Sequence, residues 1–314
     1  MSKLALIVGG PTASGKSALA LAVAGEFRGE IINADASQLY RVLPLLTAQP
    51  DQAARALAPH SLYGVLGADE IASAQRWRDL AVDAIAAAHK AGRLPIVVGG
   101  SGLYLRALLL GLAPIPPIAP AARHKARALW RDLGPAAFRA ELQHHDREIV
   151  ARLQPADGQR HMRAMEVWLA TGRALSSWQA EPPAGPPQGL QLKTMLLMPP
   201  RETLWQAIAL RFRSMLASGA LAEVAVAKES GAELDLPAYK ALGFRQLIQH
   251  LNGKIELEQA VTEAIYDTRH YAKRQATWFN HQILTDISMK ETFSAKIMPE
   301  IFSFIRQYRL TPLK

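Results

Sequence analysis

The chain has 314 residues, 49% hydrophobic and 20% charged, which excludes a disordered protein and allows a large core with one big and one smaller domain. It has no cysteine, excluding disulfides and thiolate metal sites, and its formal charge of +9 suits a polyanionic partner or a set of solvated basic faces. No apolar run reaches the roughly 18 residues of a membrane span, and the apolar start "LALIVGG" is too short for a signal peptide, so no membrane and a cytoplasmic location are expected.

In chain order, "KLALIVGG" is predicted to be a buried parallel strand. It runs into Gly10-Pro11-Thr12-Ala13-Ser14-Gly15-Lys16-Ser17, which matches G-x-x-x-x-G-K-[ST] and opens the helix "SALALAVAGEF". Amides of such a loop and the helix N-terminus converge on anionic oxygens, Lys16 adds a charge, and Ser17 can ligate the Mg²⁺ that bridges phosphates. The spacing identifies a phosphate but not its owner. A nucleotide to be hydrolysed, a nucleotide donating its γ-phosphoryl and a departing diphosphate all suit it.

"EIINAD" reads as a second strand, ending at Asp35 in "NADASQLY". That carboxylate has three readings: a metal ligand, a base facing the phosphate end of the site, or a turn residue capping the next helix. "LPIVVGG" reads as a third strand ending in Gly99-Gly100-Ser101, where a hydrolase of this loop class usually carries an aspartate for Mg²⁺. Two proline-rich stretches follow, "APIPPIAP" (Ala113–Pro120) and "EPPAGPP" (Glu181–Pro187), and both read as linkers. Between them "AARHKARALWRDL", "PAAFRAELQHHDREIVARL" and "DGQRHMRAMEVWLATG" read as helices, the last stopped by Gly172. "LKTMLLM" is a fourth strand, and the remainder is largely helical, from "RETLWQAIALRFRSML" to "LEQAVTEAIYDTRHYAKRQATWFNHQIL".

The expected fold is α/β: a P-loop NTPase-like parallel sheet with flanking helices, at 1–120 and 188–314, plus an all-helical inserted domain at 121–187. In the C-terminal part, Leu204, Ile208, Arg211 and Met215 share one helical stripe, which puts an arginine at the edge of an apolar face. It either snorkels there or meets an anion. Arg160 and Arg163 share a face by i, i+3, with Met162, Met165 and Leu169 on another, as a basic binding face or a solvated one would. "KRQATWF" interleaves two cations with Trp278 and Phe279, compatible with base stacking or with buried aromatics.

Eight segments, "GGPTASGKS", "NADASQLYR", "LTAQP", "GGSGLYLRALLLGL", "DGQRHMRAMEVWLATGRAL", "RFRSMLASGALAEV", "YKALGFRQL" and "KRQATWF", resemble successive motifs of the tRNA dimethylallyltransferase family. They occur in the family's order from residue 7 to about 280, and the tail, about 290–314, adds nothing. The resemblance implies transfer of a dimethylallyl group from dimethylallyl diphosphate to N6 of adenosine 37 in tRNA, releasing diphosphate, with Mg²⁺ at Ser17. It implies that Gly10 through Ser17 grip the leaving group, that Thr12 lies beside the bridging oxygen, that Asp35 is the base, and that Arg211 meets the diphosphate. For tRNA it points to Asp35, Ala36, Ser37, Gln38, Ser101, Arg123, Gln159, Arg160, His161, Met162, Arg163, Lys240, Gly243, Arg245, Lys273, Arg274, Gln275 and Trp278, on a chain expected to act as a monomer.

The sequence departs from the family pattern in places. Ala36 stands where serine is usual, Ser101 replaces threonine, and His161, Met162 and Met165 replace aliphatic residues. A glycine is missing before Thr47, and only His60 remains of a His-His pair. None of these touches Lys16, Ser17, Asp35 or Arg211. Two rival readings differ in what they consume. A P-loop small-molecule kinase, with Asp35 as base and a helical lid, needs ATP. A nucleotide-gated RNA-binding switch gives no modified product.

Overall fold

The computed structural model describes residues 3–230 and 233–310. The chain divides into two compact units, one formed by residues up to Leu109 together with those from Pro187 onward, the other by Leu110–Pro186. In the first unit the elements run β1 (Lys3–Gly9), α1 (Lys16–Phe27), β2 (Gly29–Asn33), α2 (Gln52–Leu57), β3 (His60–Ser61), α3 (Ala74–Lys90), β4 (Leu94–Gly99) and α4 (Gly102–Leu110). The helical unit holds α5 (Pro120–His145), α6 (Arg147–Arg152), α7 (Gly158–Thr171) and α8 (Leu175–Gln179). The chain then returns to the first unit as β5 (Leu190–Leu197), α9 (Arg201–Ala217), α10 (Ala220–Glu229), α11 (Phe244–Leu251), α12 (Leu257–Gln282), β6 (Ile287–Met289) and α13 (Met298–Leu310).

Among the described residues the sheet is six-stranded, in the order β3-β2-β4-β1-β5-β6, and every pairing is parallel. The apolar runs make this possible, because a parallel sheet with helices on both faces has no wet side. In β1 the residues Ala5, Leu6, Ile7 and Val8 are all 0% exposed, and their alternation splits them between two cores. Ala5 and Ile7 join Trp77 and Ile85 of α3 and Leu105 of α4. Leu6 and Val8 join Leu19, Val23 and Phe27 of α1 with Ile301 and Ile305 of α13. A third core, around Ile208, Phe212, Val224, Leu247 and Val261, binds α9 to α12 to one another. The fold is the expected α/β sheet with flanking helices.

The edge strands β3 and β6, of two and three residues, are too short to carry a periodic signal. The tail, silent in sequence, is part of the core. Phe302 of α13 meets Phe27 edge-on at 5.3 Å, and Arg306 pairs with Glu26 at 2.5 Å. Just before α13 the chain crosses the phosphate loop: a Cβ on Gly15, where φ is +90°, would lie 2.9 Å from the Cβ of Phe293.

The helical unit begins at Leu110 rather than at 121. The reason lies in the isoleucines between the prolines, since Ile118 is 7% exposed and Ile115 part-buried against the helical core of Phe138, Leu142, Met165 and Val167. The stretch read as one helix at 135–153 breaks at Asp146. Its carboxylate, 2% exposed, accepts from Ile149 N at 3.0 Å and Ser176 N at 2.9 Å, which caps α6 and ties it to α8. Gly172 ends α7 at φ 67°, as predicted.

Replacing Ile301, which is 0% exposed, by alanine should cost about 2–4 kcal/mol of unfolding free energy in urea titration. A loss below about 0.5 kcal/mol would mean that α13 does not belong to the core.

Candidate active site

Three elements converge at the C-terminal ends of β1 and β2. The first is the phosphate loop between β1 and α1. It contains positive φ at Gly10, Ala13 and Gly15. Lys16 Nζ reaches back to the Pro11 carbonyl at 3.3 Å. Ser14 is 0% exposed and its Oγ has no hydrogen-bond partner, while Ser17 is exposed at the first turn of α1.

The second element is the turn after β2, built to fix one carboxylate. Asn33 Oδ1 accepts from Asp35 N at 2.8 Å, and Asn33 Nδ2 donates to the carbonyls of Asp35 and Leu62, both at 3.0 Å. Ser37 donates to Asp35 Oδ1 twice, from its backbone N at 3.1 Å and its Oγ at 2.7 Å. Among the described residues no hydrogen bond falls on Oδ2, which leaves that oxygen free to accept a proton. Ala36 N donates to Ser101 Oγ at 2.9 Å, so the serine that follows β4 braces the Asp35 turn. Below it, Trp77 Nε1 donates to the Asn33 carbonyl at 2.8 Å and the indole stacks on Tyr104 at 4.8 Å.

The third element is α9, which carries Arg211 on the stripe predicted from sequence. Thr12, Ala13, Asp35, Ala36, Ser37 and Arg211 line one cavity of about 490 Å³ with Leu46, Ile208, Phe212, Met215 and Tyr271. Arg211 makes no hydrogen bond or ion pair among the described residues; burial lowers its pKa and the charge of Asp35 opposes this. Burial likewise lowers Lys16 to about 8, with Asp35 raising it and Arg211 lowering it further. Burial and Asp35 push the Tyr271 phenol up. The cavity therefore has a cationic end, a carboxylate and a hydrocarbon wall.

Of the other residues picked from sequence, Lys240 and Arg274 border the same cavity. Arg123, Met162 and Arg163 are part-buried, and Gln159, Arg160, Lys240, Arg245, Lys273 and Arg274 are exposed. Gln38 is committed within the fold, its Nε2 donating to the carbonyls of Thr47 at 2.9 Å and Ala48 at 2.8 Å. Trp278 is part-buried and lines an open groove with His270, Lys273 and Arg274. Three residues assigned to RNA are buried. His161 is 0% exposed and faces the helical core. Gly243 is buried at the start of α11, where a Cβ would meet Phe212 at 2.6 Å. Gln275 is 6% exposed and bonded to backbone on both ends of its amide. Sequence reasoning missed the hydrocarbon wall: Leu46 and Phe212 are ordinary core residues by pattern, and only the fold brings them beside the loop.

The family model described as IPP transferase matches residues 38–282. A tRNA dimethylallyltransferase of Rhodospirillum centenum is 52% identical over 88% of this chain and 88% of its own length. One from Paramagnetospirillum magneticum is 47% identical over 98% and 97%. Among solved structures, the tRNA isopentenylpyrophosphate transferase of Bacillus halodurans superposes with a TM-score of 0.69 at 29% identity, covering 98% of this chain and 96% of that one. A eukaryotic dimethylallyltransferase acting on tRNA gives 0.82 at 25% identity, over 100% and 81%. A phosphate loop, a braced carboxylate and a hydrocarbon-walled cavity thus sit on a chain that belongs to the IPP transferase family.

Proposed function

We propose that this chain transfers the dimethylallyl group of dimethylallyl diphosphate to N6 of adenosine 37 in tRNA and releases diphosphate. The observation that carries this reading is the composition of the cavity beside the phosphate loop. Leu46, Ile208, Phe212 and Met215 offer hydrocarbon where a nucleoside would need polar partners, and Arg211 offers charge where a diphosphate ends. An allylic diphosphate has that same division.

In the reaction the allylic C–O bond breaks, its electron pair passes to the diphosphate, and the N6 lone pair forms the new C–N bond. Lys16, Arg211 and the loop amides meet the growing negative charge. The free Oδ2 of Asp35 takes the proton leaving N6, while Ser37 holds Oδ1. Thr12 borders the same space. The adenine must leave its stack to reach a prenyl carbon held in the cavity. Its weakly nucleophilic amine depends on being positioned.

The loop suits Mg²⁺. Its side-chain donors are oxygens, one of them the unpartnered Ser14 Oγ, and among the described residues no group of three or more His, Asp or Glu stands ready as an all-protein cage. Ser17 would hold the ion, and the ion would supply charge neutralisation on the departing diphosphate. For RNA, the exposed cations Lys240, Arg245, Lys273 and Arg274 are the stronger candidates. Arg160 and Arg163 are partly neutralised on their own helix, at 3.5 Å from Asp157 and 3.2 Å from Glu166. No described helix is long and apolar enough to cross a membrane.

Incubation with dimethylallyl diphosphate, Mg²⁺ and unmodified tRNA, without ATP, should add the prenyl mass to adenosine. Asp35→Asn should lower kcat by about 10²–10⁴ with little change in either substrate's affinity. A variant keeping a tenth of wild-type turnover would leave Asp35 a positioning role only.

Donor affinity should depend on pH through Lys16. The amine is charged below about 8, and a bound anion stabilises that charge, so binding takes up a proton above this pH. Affinity should be level below about 8 and fall as pH rises past it, approaching tenfold per unit, whereas Lys16→Ala should titrate flat from pH 7.5 to 9.5. A wild-type profile as flat as the variant's would remove Lys16 from the anion site.

A further inference from the structure

Gln275 lies on α12 within the stretch that sequence reasoning gave to RNA, yet its side chain is 6% exposed. Both ends of its amide are bonded to backbone in other parts of the unit. Oε1 accepts from Thr12 N at 2.8 Å, and Nε2 donates to the Gly100 carbonyl at 2.8 Å. Thr12 belongs to the phosphate loop after β1, and Gly100 follows the last residue of β4. One planar group therefore spans the loop, the end of a neighbouring strand and a helix from the C-terminal third of the chain.

Residue 100 has the shape this bridge requires. A Cβ there would stand 2.3 Å from Gln275 Nε2 and 3.3 Å from its Cδ, so the glycine leaves the space that the amide fills. The bond to Thr12 also matters for the loop. Pro11 has no N–H, and the Thr12 amide would be left without a partner if Gln275 did not accept from it. The Thr12 side chain borders the cavity shared with Asp35 and Arg211, and its direction follows from the backbone that Gln275 holds. Tyr271, one turn earlier on α12, lines that cavity too.

We propose that Gln275 is a positioning residue for the phosphate loop, setting Thr12 and hence the loop's grip on the diphosphate, and that it makes no contact with RNA. The proposal rests on the dimethylallyl-transfer reading for its effect on turnover. Its effect on anion binding needs only the loop.

The test is a double-mutant cycle of Gln275→Ala and Gly100→Ala, with Gln275→Met as a variant of similar length that cannot bridge. Inorganic pyrophosphate affinity, kcat, KM for tRNA and the melting temperature are measured for each. Gln275→Met should melt within a few degrees of the wild type, lose about tenfold or more in kcat and bind pyrophosphate severalfold more weakly. Its KM for tRNA should stay within about twofold. The double alanine variant should be no worse than the poorer single, because both substitutions break one bridge. Retained kcat and pyrophosphate affinity with a tenfold rise in KM for tRNA would restore the RNA contact and overturn the proposal. Additive losses in the cycle would overturn it as well. If the wild type transferred no prenyl group, the functional reading would fall, and pyrophosphate affinity in the same variants would still decide the role of Gln275.

Discussion

Lys16 and Arg211 repel each other, and burial adds to the cost of charging both. Lys16 is lowered to about 8 by desolvation and by Arg211, and Arg211 is lowered by desolvation with no bonded partner of its own. Asp35 offsets part of this with a single negative charge. A bound anion would relieve the remainder, and the architecture can be understood as what holds these three groups at that spacing. The buried strand β1 delivers Lys16 through a loop whose turns only glycine and a few strained residues allow. Strand β2 delivers Asp35 through the Asn33 turn, and α9 delivers Arg211 beside Ile208 and Phe212, which anchor that face of the helix in the core.

In the proposed reading, the surface next to the charges is what separates the site from a nucleotide site. Methionine, isoleucine, leucine and phenylalanine side chains gain nothing from a ribose or a base edge, but they can cover an allylic tail. Strand β4 points the same way. It ends in Gly99-Gly100-Ser101 rather than in a metal-binding acid, and the fold uses those positions as braces, Gly100 for the Gln275 bridge and Ser101 for the Asp35 turn. A loop that grips a leaving group has less need of a carboxylate to hold metal for attack on a phosphorus atom.

The parts legible in sequence are those with local causes. The phosphate loop follows from spacing, the four longer strands from unbroken apolar runs, and Arg211 from helical periodicity on one face. The illegible parts have causes far apart in the chain. The Thr12–Gln275 bond joins residues 263 positions apart, and nothing near Gln275 announces that its amide is turned inward. Phe293 covers Gly15 from a tail without a motif. Ile115 and Ile118 look like punctuation between prolines until the helical core they fill is known. His161 reads as a polar residue on a basic helix, although its register on α7 turns it into the core.

The central claim is that the cavity next to Lys16 accepts a diphosphate carrying a hydrocarbon tail. Ligands that bind only the folded state raise its melting temperature in proportion to the logarithm of their affinity, so one thermal series compares candidates directly. With Mg²⁺ present and at equal concentration, a non-hydrolysable thiolo analogue of dimethylallyl diphosphate should stabilise the protein more than inorganic pyrophosphate does. Pyrophosphate should in turn stabilise it more than ATP. A larger shift with ATP than with the allylic analogue would contradict the account and return the loop to a nucleotide.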